Sequence, residues 1–253
     1  KGNIVFGLDE TTIPPVRMNL FEKDEQVMRS VIFSYAQKAS QDFNKIFDGK
    51  KVFENPKSQI DMKRLVEYLS NESDIVLDFF AGTGTTGHGV FLANRESRIQ
   101  RHFILVQLPE LIEGNSDVGK NAIELGFKTI ADIGKERIRR VIGKIKEEQE
   151  AKKDLFYGDK APMDLGFKVF KLSPSNYRQW DTAQPDAAAY ARQAEMFADP
   201  LVEGWQPENV LYEVALKEGY GLNVSVEPVG ADGIRPETIF RLTDPDKDQS
   251  FYL

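Results

Sequence analysis

Cysteine is absent from the 253 residues, and histidine occurs only as His88 and His102. Without cysteine there are no disulfides and no thiolate metal sites, and the expected compartment is the cytoplasm. Neither histidine has a carboxylate at ligand spacing, so each is expected at a turn or strand edge and no metal site is expected. No long apolar run free of charge occurs, which argues against a membrane span. The opening KGNIVFG is neither a secretory leader nor a natural start, and it reads as a cut. Positive charge is also short. The net charge of -7 excludes adhesion to nucleic acid over the whole surface, so any DNA contact must be local or lie elsewhere.

What is present suffices for a sizeable core. With 41% hydrophobic and 29% charged residues, the chain suits one large domain or two modest ones. The organising stretch is Asp74–Gly89, reading DIVLDFFAGTGTTGHG. Ile75, Val76 and Leu77 have the branched character of a buried strand. An acid, two aromatics and a glycine-rich turn follow, and then Thr85 or Thr86 is expected to cap a helix to about Asn94. Glycine at 82, 84 and 87 lets the backbone bend and approach a ligand.

Three ligands compete for such a turn. The spacing Gly82-x-Gly84-x-x-Gly87 matches the dinucleotide fingerprint, which needs an acid at the end of the next strand for the ribose. That position holds Gln107. Gly82 and Gly87 also have phosphate-loop spacing, but His88 and Gly89 stand where that loop requires Lys and Ser or Thr. S-adenosylmethionine has no phosphate and carries an ammonium group. Asp78, at the carboxyl end of the strand, is placed to accept a charge-assisted hydrogen bond from it. A tight turn with no ligand is the plainer alternative.

The remaining elements follow in order. Val31, Ile32, Tyr35 and Ala39 fall at helical spacing as far as Phe43, after a possible strand at Gly2–Gly7 and a break at Pro14-Pro15. Asn55 and Pro56 start a helix as cap and first residue, while Ser58 and Asp61 offer a second register; Ile60, Leu65, Val66 and Leu69 give its stripe. Arg101–Gln107 reads as the second strand, whose end brings Gln107 or Glu110 to the ribose hydroxyls. A helix is expected over Asp117–Leu125, and another capped by Thr129 and running to about Lys153. In the latter, Lys135, Arg137, Arg139, Arg140, Lys144 and Lys146 form either a phosphate-contacting face or a solvated one. Gly158–Pro162 marks a boundary. Beyond it come a strand at Gly166–Leu172, helices around Ala187–Phe197 and Val210–Ala215, and strands near Leu222–Val226, Glu237–Leu242 and Ser250–Leu253. A strand ending the chain again suggests truncation.

DFFAGTGTTG at 78–87 resembles the D-x-F-x-G-x-G motif of amino-methylating DNA methyltransferases. Together with GNIVFGLDETTIP at 2–14, VFENPKSQIDMKRL at 52–65, HFILVQLPE at 102–110, TIADIGKERIRR at 129–140, GFKVFKLSPSNYRQWD at 166–181 and LYEVALKEGYGL at 211–222, it resembles the modification subunit of type III restriction-modification systems. That family implies an α/β fold: a partial Rossmann-like (class I methyltransferase) sheet with helices on both faces, plus a C-terminal α+β region. It implies a remnant of the target-recognition region at 1–50, a cofactor-binding part at 51–157 and a C-terminal region at 158–253. The cofactor would be S-adenosyl-L-methionine, with Asn55, Pro56, Lys57, Asp78, Phe79, Phe80, Ala81, Gly82, Gly84, Thr85, Gln107 and Glu110 around it. Implied partners are double-stranded DNA, a restriction subunit and a second modification subunit. The family's Asp-Pro-Pro-Tyr motif, which holds the flipped adenine's amine, does not occur in the chain. It is expected upstream of Lys1, so a fragment with no catalytic residue of its own and little activity is expected. A dinucleotide-dependent oxidoreductase and a non-catalytic assembly module remain the alternatives.

Overall fold

The computed structural model describes residues 31, 34–152, 163–183, 186–229, 239–245 and 249–252. The expected strand at Gly2–Gly7, the break at Pro14-Pro15, Ile32 and the boundary at Gly158–Pro162 lie outside these. The chain divides into two compact units, the first ending at Phe167 and the second starting at Lys168.

The first unit is built on β1 (Ile75–Asp78) and β2 (His102–Leu105), which pair in parallel with Ile75 opposite His102 and Asp78 opposite Leu105. The crossover between them contains α3 (Thr85–Ser97), as a parallel pair requires. Hydrogen bonds from Val106 N–H to Asp78 O (2.8 Å) and from Ala81 N–H to Val106 O (3.1 Å) prolong the ladder past both strand ends. The two turns are thereby held side by side. Alternation sends Val76 and Phe103 towards the helices, where they pack with Val66, Val90 and Ala93. Ile75, Leu77, Ile104 and Val106 remain exposed, Ile75 at 62% and Leu77 at 57%. The expectation of strands buried on both faces, with helices on both, is corrected: among the described residues α2 (Gln59–Leu69), α3 and α5 (Ile130–Lys152) cover one face only.

Helix α1 (Ala36–Ile46) buries Ala39, Phe43 and Ile46. Phe43 stacks against Phe47 at 5.1 Å, and Phe47 meets Phe127 edge-on at 5.9 Å. Val31 and Tyr35 stay exposed before this helix instead of extending its stripe. Helix α2 (Gln59–Leu69) takes the second of its two registers. Ser58 is the cap, accepting the Asp61 N–H at 3.2 Å, while Pro56 is buried in the turn ahead of the helix. Of its expected stripe only Val66 is buried, against α3 and the strands; Ile60 and Leu69 are exposed. Helix α4 (Asp117–Glu124) is capped by Ser116. Helix α5 (Ile130–Lys152) opens on a reciprocal box in which Asp132 N–H donates to Thr129 Oγ1 (3.2 Å) and Thr129 N–H to Asp132 Oδ2 (2.9 Å). Its Ile133, Ile138, Val141 and Ile145 form the core with Phe43, Phe47 and Phe91.

In the second unit, α6 (Ala187–Met196) is capped by Asp186, and α7 (Pro207–Lys217) starts with proline at its first position. Strands β3 (Ser225–Val229), β4 (Ile239–Asp244) and β5 (Gln249–Tyr252) form an antiparallel sheet in that order. Leu211, Ala215, Val224 and Leu242 are its core. The alternating segment 166–172 pairs with no strand among the described residues. Its side chains dock singly instead, Lys168 Nζ on Val224 O at 2.8 Å and Phe170 edge-on to Tyr212. Glu213 of α7 accepts hydrogen bonds from the Ser175 hydroxyl, Asn176 N–H and Lys217. Burial raises its pKa, but these donors outweigh that and hold the carboxyl at about 2.

Candidate cofactor site

Three glycines shape the turn after β1, each for a different reason. Gly82 (φ +52°) would carry a Cβ into open space, with no atom within 4 Å. Gly84 (φ +72°) is the left-handed cap residue of α3, so neither Thr85 nor Thr86 caps that helix as expected. A Cβ on Gly87 would come to 3.0 Å from both Ile138 and Leu105, so this glycine lets α3 settle on β2 and α5. The third glycine of the dinucleotide spacing is thus spent on packing.

Asp78 is half-buried. Its Oδ1 accepts the Phe80 N–H at 3.0 Å and its Oδ2 accepts the Thr86 hydroxyl. Among the described residues it forms no ion pair, and both its oxygens are turned to the turn. Gln107, arriving at the end of β2, accepts the Gly82 N–H with Oε1 at 2.6 Å and donates from Nε2 to Leu108 O (3.2 Å) and Glu110 Oε2 (3.4 Å). Here an amide does what an acid cannot, since a second carboxylate would repel Glu110 instead of donating to it.

Phe79, Phe80, Gly82, Gln107 and Glu110 line one cavity of about 300 Å³, completed by Phe53, Leu108 and Ile130. Ala81, Gly84 and Thr85 are buried behind it. Asn55 and Lys57 are exposed, Pro56 is buried, and none of the three lines it. The sequence reading missed Leu108, next to Gln107, and it missed Phe53 and Ile130. The usable signal was their position, two residues before Asn55 and at the first residue of a capped helix. A larger hollow of about 520 Å³ lies in the second unit under α6. It holds none of the expected residues, and its Arg178 is bound to the carbonyls of Leu201 and Met196.

Behind the turn stands Arg137, fully buried on α5. Its Nη1 donates to Thr85 Oγ1 at 2.7 Å and lies 3.4 Å from both Thr83 O and Thr83 Oγ1, while Nη2 is 3.4 Å from His88 Nδ1. Burial lowers the guanidinium pKa to about 9, which leaves it charged at neutral pH. Burial first, and then Arg137, Lys144 and Arg95, lower the His88 pKa to about 3, so its ring is neutral. Of the six basic residues on α5, Arg139, Lys144 and Lys146 are exposed and the other three are held within the chain. Arg137 is inside, Arg140 is committed to Ile46 O, Asp48 and Glu136, and Lys135 pairs with Asp132 at 2.7 Å.

A parallel β-α-β unit with an open glycine turn and an aromatic cavity at its carboxyl edge is an arrangement of α/β domains, whose ligand sites lie at the carboxyl ends of the strands. The chain belongs to the DNA methylase family, whose model it matches over residues 14–156. That match does not favour the oxidoreductase alternative. The chain is 30% identical over 234 residues to the type III restriction-modification enzyme EcoP15I Mod subunit of Escherichia coli, covering 92% of this chain and 32% of that protein. It is 35% identical over 133 residues to the StyLTI Mod subunit of Salmonella typhimurium, covering 53% of this chain and 18% of that one. Against the type II methyltransferase M.KpnI of Klebsiella pneumoniae it is 33% identical over 109 residues, 42% of this chain and 24% of that one. The chain therefore spans about a third or less of the length of these curated relatives. No described helix is long and apolar enough to cross a membrane.

Proposed function

We propose that this chain is the cofactor-binding part of an S-adenosylmethionine-dependent, adenine-specific DNA methyltransferase, the modification subunit of a type III restriction-modification system. The observation that carries the reading is the open side of Gly82, which lines one cavity together with Phe80 and the Gln107–Glu110 pair. The lining fits the cofactor's chemistry: flat apolar walls for a purine, and acceptors for a diol. When bound, S-adenosylmethionine supplies an electrophilic methyl group for transfer to an amine.

The chain's own residues bind and orient. Phe53, Phe79, Phe80, Leu108 and Ile130 take the adenine ring between apolar walls. Gln107 spends its oxygen on the Gly82 N–H, so Glu110 is the freer acceptor for a ribose hydroxyl. Asp78, with Ala81, Gly84 and the backbone N–H of Thr85, attracts the ammonium and carboxylate of the methionine part, and Asn55, Pro56 and Lys57 close the same end. In this reading, residues 51–157 form the cofactor part, 158–253 a C-terminal α+β region, and 1–50 a link from target recognition. Double-stranded DNA is the substrate, a restriction subunit and a second modification subunit are the partners, and the cytoplasm is the compartment.

No Asp-Pro-Pro-Tyr occurs among the 253 residues, so purified chain is expected to bind cofactor without methylating DNA. Calorimetry with S-adenosylhomocysteine and with oxidised nicotinamide dinucleotide tests this. Heat with the first alone supports the reading, and heat with the second alone overturns it. Heat with neither, together with self-association in sedimentation, points instead to an assembly module.

A further inference from the structure

We propose that Arg137 is a positioning residue for the methyl donor, acting through Thr83 and Thr85; this rests on the reading above. A fully buried guanidinium is costly unless its donors are used, and no carboxylate accepts from Arg137 among the described residues. An apolar side chain would fill the same space without that cost. Arg137 reaches the turn through Nη1 at three atoms, Thr83 O, Thr83 Oγ1 and Thr85 Oγ1, while its Nη2 stands against His88 Nδ1 and its Nε has no partner among the described residues. Its flat face is fixed over Phe43 at 5.1 Å, which ties its direction to the core.

The gripped residues are the ones the site needs still. Thr83 follows Gly82, whose open side faces the cavity, and Thr85 precedes Thr86, whose hydroxyl holds the Asp78 carboxylate. Gly134, one turn earlier on α5, supplies the other half of the template. A Cβ there would stand 3.2 Å from Gly82 O, so the helix backbone lies against the turn where Arg137 reaches round it. Gly84, as cap, has no side chain to satisfy the start of α3, and the turn's own bonds join Asp78 to Phe80 and Thr86 and Gly84 to Ala81, so the Thr83 and Thr85 side chains need a brace from elsewhere. Arg137 provides one from 52 residues away.

Calorimetry of S-adenosylhomocysteine binding to the full chain tests the proposal, with R137K, T85V, T85S and R137K/T85V compared. Loss of a residue that orients contact groups weakens affinity by about 10- to 100-fold, and R137K and T85V are each expected in that range. The double variant is expected to lose no more than the worse single, since both remove one interaction, while T85S, which keeps the hydroxyl, recovers most of the loss. A purely structural role would lower the unfolding temperature of R137K and leave affinity in the folded fraction intact; that result overturns the proposal. Additive losses in the double variant also overturn it. If R137K does not fold, T85V against T85S decides, and equal affinities of these two overturn it. Wild-type chain that binds no S-adenosylhomocysteine removes the functional reading and this inference together, whereas wild-type binding with unaltered R137K removes this inference alone.

Discussion

The two faces of the β1–β2 ribbon carry similar side chains and have opposite fates. Val76 and Phe103 pack under α2 and α3, while Ile75, Leu77 and Ile104, one residue away in each case, are exposed. The contrast teaches that apolar content alone did not select the covered face. The crossover did, by placing α3 and then α5 on the side where Gly87 allows close approach to Leu105 and Ile138. The exposed face earns little stability, since apolar surface contributes only when it leaves water.

The largest effect expected from this contrast is on the covered side. Phe43 is fully buried between Phe47, Phe53 and the Arg137 guanidinium. Phe43→Ala is expected to cost about 3–5 kcal/mol, as for other large-to-small core changes. Leu77→Ser, on the bare side, is expected to stay within about 0.5 kcal/mol. Urea unfolding followed by circular dichroism, with hydrogen exchange in α1 and α5 to report on the first unit, measures both. Comparable costs for the two would show that the Leu77 face is covered in solution.

A smaller effect separates the covered side by pH. The folded-state pKa of His88 lies at about 3 against an ordinary 6.5, so between these values the unfolded chain binds the proton and the folded one does not. Stability is therefore fully retained above pH 6.5 and falls as pH drops towards 3, by at most about 1.4 kcal/mol per unit. Asp132 and Glu213 are both held below their ordinary values of 3.8 and 4.5, so their own losses begin only in more acid solution. The window from 6.5 to 4.5 thus isolates His88 from these two. Unfolding at pH 7 and pH 5 is expected to differ by about 2 kcal/mol in wild type and to differ far less in H88N; an equal difference in H88N would place the titration elsewhere.

Much of this was legible where the signal is local. Thr129 at the start of α5, the helices starting at Asp117 and near Ala187, and the stripe of Leu211 and Ala215 are read from neighbours within four positions, and the structure has them all. Asn55 and Ser58 were both good local caps for α2, and only Ser58 reaches an N–H. Arg137 was not legible. Its burial is set by Thr83 and Thr85 across the fold, and in the sequence it stands among five other basic residues that stay at least partly open to solvent. The bare face was hidden for the opposite reason, because a run such as Ile75–Leu77 looks the same whether one side or both are covered.

A modest change in stability, and the sharpest on function, comes from the glycines that mark the two sides of the turn. Gly82→Ala adds a methyl group that meets nothing within 4 Å but forces a left-handed backbone on alanine. The cost to stability is about 1 kcal/mol. Gly87→Ala crowds Ile138 and Leu105 while improving helix propensity by about 1 kcal/mol, so its net cost is of similar size. Stability does not tell them apart; ligand affinity does. The Gly82 methyl stands in the cavity, and one methyl in a fitted pocket is worth about tenfold or more in binding, whereas the Gly87 methyl is behind the turn. Calorimetry with S-adenosylhomocysteine is expected to show weakened binding for Gly82→Ala and binding within about threefold of wild type for the folded fraction of Gly87→Ala. Reversed affinities would mean that the ligand approaches from the helix side, and the two sides of the turn would have to exchange roles.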